Sequence, residues 1–193
     1  PFDPVQDLKE LLDYLNVKSA TVVGLSLGGS VAIDFALAFP AYTNGLVAAD
    51  SGLNGYPWPH GRPTAEPAKI AAAEGIDAAK RLWLNTGLFV PASEQTPVFT
   101  RLTGYIRDYS GWHWLNDNPA KLSQPPAIER LHHIQCPTLV IIGERDLQDF
   151  HDISTILCDK IPGATRCEIS GVGHMSNLED PLVFNAALLK FLG

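Results

Sequence analysis

Two hydrophobic rhythms alternate along the chain. At the start, Val5, Leu8, Leu11, Leu12 and Leu15 recur at three- and four-residue spacing, which predicts one apolar face of a helix. Asp3 and Pro4 stand where an N-cap and a first helical residue belong, and Asn16 closes the segment. Residues 20–25 form a compact, β-branched apolar run, as expected of a strand buried on both faces. After Ser26-Leu27-Gly28-Gly29 the helical rhythm returns with Val31, Ile33, Phe35, Ala36 and Leu37, and Pro40 ends it. Residues 45–50 read as a second strand, so this stretch predicts a parallel βαβ unit.

From residue 51 to residue 130 the pattern changes. A Gly- and Pro-dense loop over 52–67 leads into an Ala-rich helix, 67–84. A less regular helical stretch follows at 98–109, then the aromatic patch Trp112-His113-Trp114 and a Pro-rich stretch at 118–126. This reads as a helical insertion over a sheet. The α/β rhythm then resumes: a buried strand at 138–142 entered through Cys136-Pro137, a helix at 152–161, a strand at 166–169 and an amphipathic closing helix at 182–192. The expected architecture is α/β, a mostly parallel sheet with flanking helices. Residues 1–50 and 131–193 form its core, and 51–130 a helical cap.

Composition narrows the function classes. At 193 residues the chain can bury one sizeable core. A net charge of −7 argues against nucleic-acid binding, which needs basic patches to neutralise phosphates. No apolar run approaches the ~18 residues of a membrane-spanning helix. The three cysteines, Cys136, Cys158 and Cys167, are odd in number and lack metal-ligand spacing, which fits reduced thiols in a cytoplasmic protein.

The chemistry concentrates at three places. Gly24-Leu25-Ser26-Leu27-Gly28 matches G-x-S-x-G, and it lies between a buried strand and a helix. A serine in such a sharp turn projects its Oγ from the sheet edge. The following N–H, from Leu27, points where an oxyanion would form, and the helix N-terminus adds positive potential. Glycines at 24 and 28 are expected because strand and helix approach too closely for a Cβ. A serine needs a base, and the base needs a carboxylate to fix its tautomer. Asp146 follows the 138–142 strand through Gly143-Glu144-Arg145, and His174 follows the next strand in Gly171-Val172-Gly173-His174. The order Ser26, Asp146, His174, each at a strand's carboxyl end, predicts that all three meet at one sheet edge.

Asp50, at the end of the second strand, is an alternative acid. Asp146 is preferred for its more specific turn. The cluster Glu144, Asp146, Asp149, His151 and Asp152 fits neither a zinc nor a calcium motif and reads as a solvated loop without metal. His60, His113, His132 and His133 show no ligand spacing. Aromatic residues of the cap are expected mainly to pack it, with Phe89, Trp112 and Trp114 as candidates to meet substrate.

The stretch Val23-Gly24-Leu25-Ser26-Leu27-Gly28-Gly29 resembles the nucleophile elbow of the α/β-hydrolase superfamily. Residues 136–146, from Cys136-Pro137 to Arg145-Asp146, resemble its acid-bearing strand and turn. Gly171-Val172-Gly173-His174 with Asn177-Leu178-Glu179-Asp180-Pro181 resembles its histidine loop. The resemblance implies an aspartate as third catalytic member, a helical lid, no cofactor, and hydrolysis through an acyl-enzyme. A small apolar carboxylic ester or an enol-lactone is the implied substrate class. Ser26 in place of an aspartate argues against the haloalkane dehalogenase and epoxide hydrolase branches.

Members of that superfamily carry several strands before the nucleophile strand, and a loop there donates a second oxyanion N–H. The sequence is therefore expected to be a fragment without the first strands of the fold, poorly soluble and nearly inactive on its own. Carbon–carbon bond hydrolysis of a ring-cleavage product and acyl transfer stay open as alternatives. So does a non-catalytic module that binds a small ligand on the same fold.

Overall fold

The structure is a computed structural model that describes residues 2–193. The chain opens with α1 (Pro4–Tyr14), whose first turn is capped by Asp3: its Oδ1 accepts from the N–H of Val5 at 3.2 Å and of Gln6 at 3.1 Å. Val5, Leu8 and Leu12 bury against Phe35 of the following helix, whereas Leu11 and Leu15 face solvent. The apolar stripe is thus narrower than the five-residue face read from the sequence, because a single helix is the contact surface.

The strand β1 (Ala20–Leu25) runs into α2 (Leu27–Ala38), and β2 (Thr43–Ala49) follows. Six helices come next: α3 (Ala65–Glu74), α4 (Ile76–Leu84), α5 (Val90–Ser93), α6 (Thr96–Asp108), α7 (Trp112–Leu115) and α8 (Ala127–Arg130). The chain then returns to the sheet with β3 (Thr138–Gly143), α9 (Gln148–Lys160) and β4 (Thr165–Ile169), and ends in α10 (Ser176–Glu179) and α11 (Pro181–Leu192). The four strands stand in the order β1-β2-β3-β4, all parallel, so every carboxyl end opens at the same edge.

Alternation along the strands sorts side chains onto two faces. Leu46, Ala48 and Val140 pack with Ala32, Ile33 and Ala36 of α2 and Ile153 and Leu157 of α9. Val47, Ala49, Leu139 and Ile141 pack with Ile169 and with Phe184 of α11. Burial on both faces is why β2 and β3 read as continuous apolar runs. The α3–α7 segment rests on the sheet through a third cluster, in which Leu88, Phe89, Ala92, Leu102 and Ile106 join Ile142 and Phe150. Trp114, Ala71 and Ala79 form an interior of its own.

Several boundaries differ from the sequence reading. The helix expected over 67–84 is two helices, broken at Gly75 with φ 90° and ψ 169°. An Ala-rich stretch has no periodic signal to mark such a break. The helix expected at 152–161 starts a turn earlier, at Gln148, and Asp50 leaves the strand ladder with φ 42°. Among the described residues no helix is long and apolar enough to cross a membrane. The three cysteines are unpaired and partly buried, and burial pushes the Cys136 and Cys158 thiols up.

Candidate active site

Ser26 occupies the one-residue turn between β1 and α2, with φ 54° and ψ −116°. This is a costly conformation for a residue with a Cβ. Neighbouring segments hold it there. The Ser26 N–H donates to Ala49 O at 2.9 Å, and the Ser26 carbonyl accepts from Gly52 N–H at 2.9 Å and Ser30 N–H at 3.2 Å. A Cβ on Gly24 would lie 2.2 Å from Gly28 O, so strand and helix touch as the motif requires. The second constraint falls elsewhere than expected. A Cβ on Gly28 would meet nothing within 4 Å, whereas one on Gly29 would lie 2.2 Å from Ser51 Oγ. Because α2 begins at Leu27, directly after Ser26, its first N–H groups have no intrahelical acceptor. The Leu27 side chain is 75% exposed.

Asp146 closes the turn after β3, its N–H donating to Gly143 O at 3.1 Å. Its Oδ1 accepts from Leu147 N–H at 2.7 Å, leaving Oδ2 for a second partner. That partner is His174, whose Nδ1 lies 2.9 Å away. With Nδ1 donating to the carboxylate, Nε2 carries the lone pair, and Ser26 Oγ lies 2.9 Å from it. The Asp146 side chain is fully shielded and that of His174 is 4% exposed. The structure thus brings Ser26, His174 and Asp146 into one hydrogen-bonded line. Asp50 takes no place in it, since its carboxylate turns to Gly143 and Ser176.

No role in holding His174 was read from the sequence for the groups that do so, although Glu179 lies in the stretch that resembles the histidine loop. Glu179 is buried, and its two oxygens accept from the N–H groups on either side of the histidine: Gly173 at 2.8 Å and Met175 at 3.0 Å. Burial pushes the Glu179 carboxyl up, against the two amides that pull it down. The Phe150 ring packs on the imidazole at 4.3 Å between centroids. A Cβ on Gly143 would lie 2.2 Å from Gly173 O, so the acid-bearing strand and the histidine loop are in backbone contact. An acidic residue five positions after a loop histidine was the one available signal for Glu179. Phe150 had none beyond being apolar.

Of the three aromatic residues expected to meet substrate, Phe89 and Trp114 are buried and Trp112 is 43% exposed. Trp83 lies edge-on to both Phe89 and Trp114, and Tyr109 lies edge-on to Trp114, so these rings pack the helical segment itself. Trp112 stands beside His113. The acidic loop is also less solvated than its composition predicts. Asp149 is buried and accepts from the Tyr56 hydroxyl at 2.9 Å, with His60 Nδ1 at 3.1 Å. His60, Asp149 and Asp152 have ligand atoms within 4.8 Å of one another, and the Tyr56 hydroxyl already lies between the two carboxylates. Glu144 accepts from Ser170 Oγ and Gly171 N–H, which lowers its carboxyl and ties the acid turn to the exit of β4.

Comparison with known proteins agrees with this architecture. The profile described as "Alpha/beta hydrolase family" matches residues 1–187. A 2-hydroxy-6-oxononadienedioate/2-hydroxy-6-oxononatrienedioate hydrolase of Paraburkholderia phymatum is 31% identical over 193 residues, covering 96% of this chain and 66% of the relative. A 3-oxoadipate enol-lactonase 2 of Acinetobacter baylyi is 27% identical over 195 residues, covering 94% and 67%. Among solved structures, a hydrolase from Pseudomonas aeruginosa PA01 superposes with a TM-score of 0.80 at 28% identity, over 100% of this chain and 73% of that one. The chain thus spans about two thirds of the length of these curated relatives.

Proposed function

The chain belongs to the alpha/beta hydrolase family, and on that premise we propose that it hydrolyses a small carboxylic ester or lactone through a Ser26-His174-Asp146 triad and an acyl-enzyme. His174 Nε2 takes the Ser26 proton as Oγ attacks the acyl carbon. The Leu27 N–H stabilises the oxyanion, aided by the N-terminus of α2. Asp146 keeps the imidazole in the tautomer that accepts at Nε2 and stabilises the imidazolium. His174 then gives the proton to the departing alkoxide. Water, deprotonated by the same nitrogen, attacks the acyl-enzyme and releases the acid and free Ser26. The helical segment 51–130 acts as a lid over this edge, and of the three aromatic residues expected to meet substrate only Trp112 offers an exposed face.

One observation supports the reading above all. Two contacts of 2.9 Å link hydroxyl, imidazole and carboxylate across sequence separations of 148 and 28 residues. The enol-lactonase among the relatives favours an ester or lactone. The 31% identical relative, named as a hydrolase of a dienedioate, supports carbon–carbon hydrolysis as the second reading. Fluorophosphonate labelling tests the activated serine: the protein is expected to label at Ser26 and Ser26→Ala not to. Whatever turnover of 4-nitrophenyl acetate the chain shows is expected to be lost in Ser26→Ala. An unlabelled protein, or a variant as active as the parent, would overturn the proposal. Faster turnover of a dienone than of any ester or lactone selects the second reading.

A further inference from the structure

We propose that Asp50 is a positioning residue for His174: its buried carboxyl ties the end of the strand that leads to Asp146 to the helix that begins just after the histidine, and so sets the imidazole between Asp146 and Ser26. The inference rests on the hydrolase reading above and adds a residue outside the triad. Asp50 is 0% exposed and leaves β2 in the left-handed region, at φ 42°. That conformation is unfavourable for a non-glycine residue and persists only where the surroundings fix it. Here they do. The Asp50 N–H donates to Ile141 O at 2.9 Å, Gly143 N–H donates to Oδ1 at 2.8 Å, and the Ser176 hydroxyl donates to Oδ2.

The same short stretch also holds the nucleophile. Ala49 O accepts from Ser26 N–H and Gly52 N–H donates to Ser26 O. Residues 49–52 therefore touch all three triad-bearing segments, and Asp50 is the link whose bonds run through a side chain. A carboxyl suits this place because it has two diverging oxygens, one for an amide N–H and one for a hydroxyl. His174 and Asp146 are the titratable groups facing it, and burial raises it to about 7. Protonated or not, it can still accept from Gly143 and share a proton with Ser176, so the link does not depend on its charge.

The test compares Asp50→Ala, Asp50→Asn and Ser176→Ala in the full chain. Two readouts are used: kcat and KM with 4-nitrophenyl acetate, and the downfield Nδ1 proton of His174 in histidine-labelled protein. Alanine removes both bonds and strands a buried N–H and O–H. Asparagine keeps an acceptor for Gly143 and offers an N–H to the Ser176 oxygen. Asp50→Ala is expected to lose ~10²-fold in kcat, with KM within ~2-fold, and to lose the His174 proton signal. Asp50→Asn is expected to recover kcat to within ~5-fold of the parent and to keep the signal. Ser176→Ala is expected to lower kcat in the same sense, and it carries the test if Asp50→Ala does not fold. Parental kcat and signal in Asp50→Ala would overturn the proposal. So would an Asp50→Asn as impaired as alanine, since charge rather than the bonded frame would then be the cause. If the parent neither labels nor turns over, the hydrolase reading fails and the His174 signal alone decides: loss in alanine with retention in asparagine upholds the positioning role, and no change overturns it.

Discussion

A methyl group placed on Gly24 would press 2.2 Å from a backbone oxygen of α2, and the same methyl on Gly28 would stand free. Gly24→Ala must therefore separate strand from helix, and it is expected to cost ~3 kcal/mol or more. Gly28→Ala is expected to be neutral or to stabilise by ~0.5 kcal/mol, because it restricts the unfolded chain without strain. Urea denaturation of the two variants measures the contrast, and equal losses would contradict it. Asp50 makes a different prediction. Burial, the largest effect on its carboxyl, raises it from an ordinary 3.8 to about 7, against the hydrogen bonds from Ser176 and Gly143. Between those values the folded chain keeps a proton that the unfolded chain has released. This group's contribution to stability is then complete below about 3.8 and is lost as pH rises towards about 7. Asp50→Asn does not titrate, so its Tm relative to the parent is expected to increase from pH 4 to pH 8. A difference that is flat or falls over that range would show that the carboxyl is not held protonated.

Gly75 separates α3 from α4 with φ 90° and ψ 169°, a region open essentially to glycine. No heavy atom lies within 4 Å of the Cβ it lacks. The cost of Gly75→Ala is therefore backbone strain alone, expected at ~1–3 kcal/mol by chemical denaturation. A fully stable variant would mean that α3 and α4 can fuse into one helix, as the sequence pattern predicts. What was legible in the sequence, and what was not, follows from the reach of the forces involved. The strand β3 was legible to within a residue because burial on both faces leaves an unbroken apolar run. The strand β1 was legible from its β-branched apolar residues, but the burial on both faces expected of it is not found: it is an edge strand in which only Gly24 is buried and Val23 is exposed. Ser26, Asp146 and His174 stand out because each sits in a short turn with its own residue requirements. The break at Gly75, the early start of α9 at Gln148 and the exposed side of α1 were not legible, since each is decided by what packs against the element. The supports of His174 were hidden for the same reason: Asp50 meets Ser176 across 126 positions, and a side chain's partner at that distance leaves no local pattern.

The strand β1 stands at one edge of the sheet, paired with β2 alone among the described residues. It is apolar, and Val23 is 45% exposed beside the exposed Leu27. An open apolar edge is a template for pairing with a second copy, because its outward N–H and C=O groups seek partners. Only one feature opposes this. No proline or charged side chain interrupts β1, so the strand offers no local protection. What protection exists comes from the molecule's charge of −7, which repels a second copy. That repulsion reaches ~30 Å at 0.01 M salt and only ~8 Å at 0.15 M, whereas the attraction between strand edges is short-ranged and unscreened. Self-association of the 193-residue chain is therefore expected to grow as salt is added, opposite to the behaviour of an assembly held by ion pairs. Light scattering across a salt series measures it, and Val23→Lys, which places a charge on the edge, is expected to suppress it at every salt concentration. A chain that stays monomeric throughout, or a lysine variant that associates as the parent does, would place the contact on a different surface.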